Sequence, residues 1–224
     1  MAFLFWRVEM TTSTAHLPTL GETSTEGVWY NDAWTNPTYI YADDSTGASV
    51  VATSFDAGDR TQVLKATGFG FTVPSGAFIY GVTSAINAWS PTTDKASLDL
   101  VQLLSSTKGR TGTNKGSTGT VLSTDTDAVY TNGGATDLWE CDLTWSWVNS
   151  TNFGIAMGAF AGGGGNNNVD VFIDSVTLTI DYSTQSCAPS VTLRRGGIAD
   201  RFQTSSIQVS DMSGNLNSIK NREE

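Results

Sequence analysis

Cysteine and histidine are nearly missing from this 224-residue chain, which has two cysteines, Cys141 and Cys187, and a single histidine, His16. With no Cys-x-x-Cys pair and no second imidazole, thiolate-rich and histidine-rich metal sites are excluded. A serine or cysteine nucleophile also lacks its usual base, because His16 lies in a poorly patterned N-terminal stretch. Charged residues are only 15% of the chain, and Lys+Arg 12 against Asp+Glu 22 leaves a net charge of −10. Clustered cations for phosphates are scarce, so no nucleic-acid partner is expected. No apolar run approaches the roughly 18 residues of a membrane-spanning helix, and a soluble protein with no membrane partner is expected. The opening Met-Ala-Phe-Leu-Phe-Trp has no preceding Lys or Arg and is interrupted by Arg7 and Glu9, a poor pattern for a signal peptide.

What is abundant is threonine, serine and glycine: 32, 24 and 23 residues respectively. β-Branched and turn-forming residues in such excess, with few long charged side chains, predict an all-β protein. Short apolar runs between clusters of Gly, Asn, Asp, Ser and Thr fill Val28 to Tyr182. Strands are predicted at Tyr39 to Tyr41, Ala48 to Phe55, Gln62 to Phe71, Ala77 to Trp89, Ser97 to Leu104, Leu138 to Val148, Phe153 to Phe160 and Val169 to Tyr182. In Leu138 to Val148, alternation puts Trp139, Cys141, Leu143, Trp145 and Trp147 on one face. In Ala77 to Trp89, a turn at Pro74-Ser75-Gly76 precedes a face of Phe78, Tyr80, Val82, Ile86 and Ala88. The last strand changes parity between Val169-Val171-Ile173 and Val176-Leu178-Ile180-Tyr182, which a β-bulge near Asp174 reconciles.

Eight such segments predict a two-sheet antiparallel jelly-roll-like β-sandwich with extended N- and C-terminal arms. The expected divisions are an N-terminal arm over 1–26, the sandwich over 27–183 and a C-terminal arm over 184–224. Ser105 to Thr136 reads as a long exposed loop, and Gly162 to Asn168 as a hairpin connection. The last 40 residues carry five basic and four acidic side chains, so the preceding 184 hold −11. Arg194, Arg195, Arg201 and Phe202 in that tail are candidate contacts with a neighbouring protein.

Chemistry-bearing constellations are sparse. Glu140 and Asp142 share a predicted strand face, but Leu143, Thr144 and Trp145 follow where laminarinase-like sandwich hydrolases place a third carboxylate. Asp43-Asp44 and Asp56-Ala-Gly-Asp59 offer hard oxygen ligands for calcium without the spacing of an EF-hand loop, and Asx residues in turns commonly cap their own backbone. The expectation is therefore no catalytic residues, no cofactor and no dedicated metal site. Seven tryptophans invite a sugar-binding alternative, with Trp29, Trp34 and Trp89 as candidate contacts to a surface glycan.

Gly68-Phe69-Gly70-Phe71-Thr72-Val73-Pro74-Ser75-Gly76-Ala77-Phe78-Ile79-Tyr80-Gly81-Val82, Asp137-Leu138-Trp139, Asn152-Phe153-Gly154-Ile155 and Val169-Asp170 through Thr177-Leu178-Thr179-Ile180-Asp181-Tyr182 follow one another in order. This span, Trp29 to Tyr182, resembles a sandwich domain common in structural proteins of tailed bacteriophages. It departs from that pattern at Glu140, where glycine is expected after the tryptophan. The resemblance implies a non-enzymatic virion component: an oligomeric capsid decoration (cement) protein, trimeric by preference, or a tail, collar or fibre module. Its implied partners are the major capsid protein or other virion proteins, with a carbohydrate-binding or adhesion module as the alternative.

Overall fold

The computed structural model describes residues 7–26, 30–51, 55–91, 95–124, 127–163, 169–186, 208–210 and 216–218. Residues 5–188 form one unit and 189–224 belong to a second. In the second, Gln208–Ser210 and Leu216–Ser218 pair as a two-stranded antiparallel ribbon.

The larger unit is an all-β sandwich of two sheets. Its strands are β1 (Arg7–Thr12), β2 (Leu20–Ser24), β3 (Tyr30–Asp32), β4 (Ala48–Val51), β5 (Arg60–Thr61), β6 (Val63–Thr67), β7 (Phe78–Trp89), β8 (Ala96–Leu104), β9 (Arg110–Thr111), β10 (Ala128–Gly134), β11 (Gly154–Ala161) and β12 (Asp170–Ser186). One sheet runs β1-β12-β7-β10, with β4 also on β12; the other runs β2-β6-β11-β5-β3, with β8 pairing β11 and β9. Every pair is antiparallel except the short contact of β3 with β5.

The inner faces supply the core. Val82, Ile86, Val171, Ile173, Val176, Leu178 and Ile180 from the first sheet meet Leu64, Ala66, Val101, Leu103, Ile155, Met157 and Ala159 from the second. On the other side of the second sheet, Val63, Leu100, Leu104 and Ala156 are buried as well. All five residues of β6 are accordingly buried, the polar Lys65 and Thr67 among them.

Three irregularities redirect side chains. On β12, Ile173 faces Ala88 and Ser175 faces Asn87, so Asp174 is the extra residue of a bulge where the parity change predicts one. Opposite the same strand, Tyr182 pairs with Ile79 and Asp181 with Gly81. Tyr80 is skipped, which puts Ile79 in the core and leaves Phe78 55% exposed, not on the face shared by Val82 and Ile86. On β8, Asp99 is skipped between Leu98 and Leu100 and its carboxylate takes the Arg60 guanidinium. Burial pushes the Asp99 carboxyl above its ordinary value, and Arg60 partly offsets this.

Several sequence expectations are corrected. Within the N-terminal segment expected to lie along the body, residues 7–24 are strands of the two sheets themselves: β1 pairs along the end of β12 and β2 along β6. Tyr39 to Tyr41 is not a strand; Pro37–Ile40 is a 3-10 helix started by its proline. The strand expected over Gln62 to Phe71 ends at Thr67. Ser105 to Thr136 contains β9 and β10, and β10 lies in register along β7. The glycine-rich segment after Ala161 joins β11 to β12, which belong to different sheets, and so is not a hairpin connection.

The largest correction concerns Leu138 to Val148. Asp137 Oδ1 accepts the Trp139 N–H at 2.8 Å, and Trp139 and Glu140 both take left-handed backbone, each with φ 56°. Thr144 then caps a four-residue helix, Trp145–Val148, by accepting from Trp147 N. Local side-chain bonds outcompete the ladder that the alternation suggested. Trp139 is fully buried all the same, with Nε1 donating to Val82 O at 2.8 Å and Lys115 Nζ 5.2 Å above its ring. Lys115 also pairs with Asp137 at 2.7 Å. Burial acts to raise the Asp137 carboxyl, but the bonds from Lys115 and Trp139 N outweigh it and hold it below its ordinary value.

The departure at Glu140 thereby acquires a physical meaning, since it occupies a backbone conformation that glycine adopts without strain. Relief of left-handed strain, offset in part by the greater freedom of the unfolded chain, gives an expected gain of about 0.5 kcal/mol for Glu140→Gly. A urea-denaturation midpoint at or below that of the parent protein would contradict it.

Candidate metal centre

Asp174 belongs to a group of three acidic side chains close enough to share a cation. Asp43, Asp127 and Asp174 bring carboxylate oxygens within 4.8 Å of one another. They come from three remote stretches: the loop after the 3-10 helix, the residue just before β10 and the bulge on β12. The bulge turns the fully buried Asp174 toward the loop. There Oδ1 accepts from Asp44 N at 3.4 Å and Thr46 N at 3.0 Å, and Oδ2 from Ser45 N at 3.1 Å.

Two contacts fix the loop over this carboxylate. Tyr41 bridges to Ser175. Gly47 lies so close to β12 that a Cβ on it would stand 2.7 Å from Ile173 O. Only glycine lets the two backbones approach this far.

Asn87, on β7, faces Ser175 of β12 on one side and Val129 of β10 on the other. Its Nδ2 donates to Asp43 Oδ1 and Asp127 Oδ2, both at 3.0 Å, and so holds two carboxylates together. Burial pushes the Asp174 carboxyl above its ordinary value; the N–H bonds from Ser45 and Asp44 pull it down, and a hydrogen bond shared with Asp43 pushes it up again. Three clustered carboxyl groups offer the oxygen ligands that a hard cation takes.

Of the candidate oxygen ligands that the sequence singled out, Asp43 brings its carboxylate to this centre and Asp44 its backbone N–H. Asp56 and Asp59 do what turn residues commonly do, with Asp59 Oδ2 accepting from Asp56 N at 3.1 Å. Glu140 and Asp142 are exposed and belong to no strand. Trp34 is buried in the core with Nε1 bonded to Gln62 O, so it offers no ring face to a sugar. Trp89 is half-buried and stacks on Phe172, with ring centroids 4.8 Å apart and planes 7° from parallel. One face of its ring is therefore already covered. Trp29, Arg194, Arg195, Arg201 and Phe202 lie outside the described residues, as does Cys187. Cys141 is a buried free thiol, 3.5 Å from Trp139 O. Burial pushes it above its ordinary value.

Asp127, Asp174 and Asn87 escaped notice as site residues because nothing in their spacing joins them. The one legible sign was the parity change at Asp174, which marks a bulge, and bulges often sit beside functional sites. No protein-family model matches this chain, and no curated protein matches it.

Proposed function

We propose that this chain is a non-catalytic structural component of a tailed-bacteriophage virion, a capsid decoration protein or a tail, collar or fibre module. The observation that supports this reading is how the described polar side chains are spent. His16 Nδ1 lies 2.8 Å from Phe69 O, Asn149 brackets Val73 by bonding both its N and its O, and Asn114 Oδ1 accepts from Val101 N. These groups serve the chain's own backbone, the pattern of a rigid building block rather than of a cleft with tuned acids and bases.

The free edge of β10 is consistent with assembly, as Val129 there is 64% exposed and Thr131 beside it is exposed too. The proposed partners are further copies of the chain and a capsid or tail protein. The acidic sandwich disfavours non-specific self-association, while the nearly neutral tail is able to approach an acidic neighbour.

Mass spectrometry of density-purified particles tests the proposal. The chain is expected in many copies per particle, and occupancy is expected to fall when residues 185–224 are deleted. Absence of the chain from purified particles would sink the virion role. Undiminished occupancy of the truncated form would remove the tail as anchor.

A further inference from the structure

We propose that the open edge of β10 is the contact by which two copies of this chain pair, antiparallel and about a twofold axis at Tyr130, so that one sheet continues into the other. The proposal deepens the self-association in the reading above and rests on that reading only for its place in a particle.

The direction of the β10 backbone follows from the ladders beside it. Leu178 exchanges backbone bonds with His16 on one side of β12, so its partner Ser84 on β7 turns its own N–H and C=O away from β12 and toward β10. Ser84 faces Asn132, and Ile86 faces Tyr130. Asn132 and Tyr130 therefore bond to β7, while the alternate residues Val129 and Thr131 direct N–H and C=O outward. No strand among the described residues takes that side of β10. The Val129 and Thr131 side chains are exposed as well.

This edge lacks the protection that unpaired edges usually carry. From Ala128 to Gly134 there is no charged residue and no proline. Elsewhere, β1 carries Arg7 and Glu9, β2 carries Glu22, and the outer side of β4 exchanges two backbone bonds between Ser49 and Thr35, at 2.7 and 3.0 Å. Beside β10, a hollow of about 240 Å³ lined by Tyr130, Asn132, Lys115 and Thr120 leaves the inner side of the edge clear. Gly133, left-handed with φ 77°, ends the regular stretch.

A second copy of the same strand fits that stretch. An axis at Tyr130 sets Val129 opposite Thr131 of the partner subunit, and Thr131 opposite Val129 of the partner subunit. The outward groups of each copy then meet those of the other, two bonds to a pair. Charge favours the same register. The first 184 residues hold −11, which opposes contact over most of the surface. Here no charge faces a like charge, because Asp127 falls opposite Gly133 of the partner subunit. Such an isologous contact joins copies in twos, unlike the threefold arrangement that the resemblance implies.

The test is sedimentation of the purified full chain at about 100 µM, a concentration that populates a contact of small area. A dimer is expected. Val129→Lys with Thr131→Lys sets lysine against lysine in this register and should weaken pairing at least tenfold. The corresponding double glutamate variant should do the same. Both should unfold cooperatively on heating, since the two side chains are exposed. An equimolar mixture of the lysine and glutamate variants should regain the dimer, because opposite charges then face each other. Val51→Lys, at a residue 63% exposed on β4, should leave the dimer intact. A monomeric or trimeric parent chain overturns the proposal, as does a dimer that survives in the double lysine variant or a mixture that stays monomeric. The virion reading is decided separately, by the particle measurement above.

Discussion

Replacing Trp139 by alanine is expected to cost about 3 to 5 kcal/mol, a large share of the 5 to 15 kcal/mol that stabilises an ordinary domain. The side chain is fully buried in the main core, so its removal leaves a cavity. Val82 O loses its donor from Nε1, and Lys115 loses the ring face it lies over while keeping Asp137. Neighbouring backbone cannot readily collapse into the space, because Val82 is held in the β7 ladder by both β10 and β12. Trp145 supplies the contrast, since it is 36% exposed on the four-residue helix, and Trp145→Ala should cost less than about 1 kcal/mol. Chemical denaturation of the two variants checks both figures. Equal losses would mean that the tryptophans share one environment, as the alternation of Leu138 to Val148 had suggested.

Gly154→Ala is expected to be comparably damaging, at about 3 kcal/mol or more, for the opposite physical reason. Gly154 opens β11, paired with Thr67 of β6 on one side and Leu104 of β8 on the other. A Cβ there would overlap the Ala66 carbonyl and stand 3.0 Å from Thr67 Cα. These are backbone atoms in a fully buried strand, and no rotamer change clears them. Gly134→Ala is the matching control, because nothing lies within 4 Å of a Cβ at that position. It should be neutral or stabilising by less than about 1 kcal/mol, through the unfolded chain alone. A Gly154→Ala protein with the parent's denaturation midpoint would show that β6 and β11 can separate at no cost. That outcome would contradict the close packing of this sheet.

The longest strands were readable in advance because one physical rule governs them. β7 and β12 each lay one face on the opposite sheet, so alternation survives in Val82-Ile86-Ala88 and in Val176-Leu178-Ile180. Even the bulge at Asp174 was legible, because an extra residue must flip the parity of everything beyond it. Leu138 to Val148 alternates equally well, yet two short-range bonds, Asp137 to Trp139 and Thr144 to Trp147, and one tertiary bond, Trp139 to Val82, decide its structure. The N-terminal strands were missed because edge strands bury little; β2 has no buried residue, and its pairing with β6 is a tertiary fact.

The acidic cluster shows the same division more sharply. Asp43 and Asp174 are 131 positions apart, and Asp127 belongs to a stretch that read as loop. They meet because β10 and β12 flank β7 in a particular register, and because Gly47 lets the loop settle on the bulge.

By itself, then, the sequence determined the all-β class, the paucity of residues suited to covalent catalysis, the two central strands and the bulge between the two halves of β12. All of these follow from composition and from period-two burial, which act within a few residues. Only the tertiary structure decided which strands close the sheets, which tryptophan belongs to the core and which carboxylates stand together. Those outcomes depend on strand order and register, and these are set by the packing of segments a hundred residues apart, which no local pattern encodes.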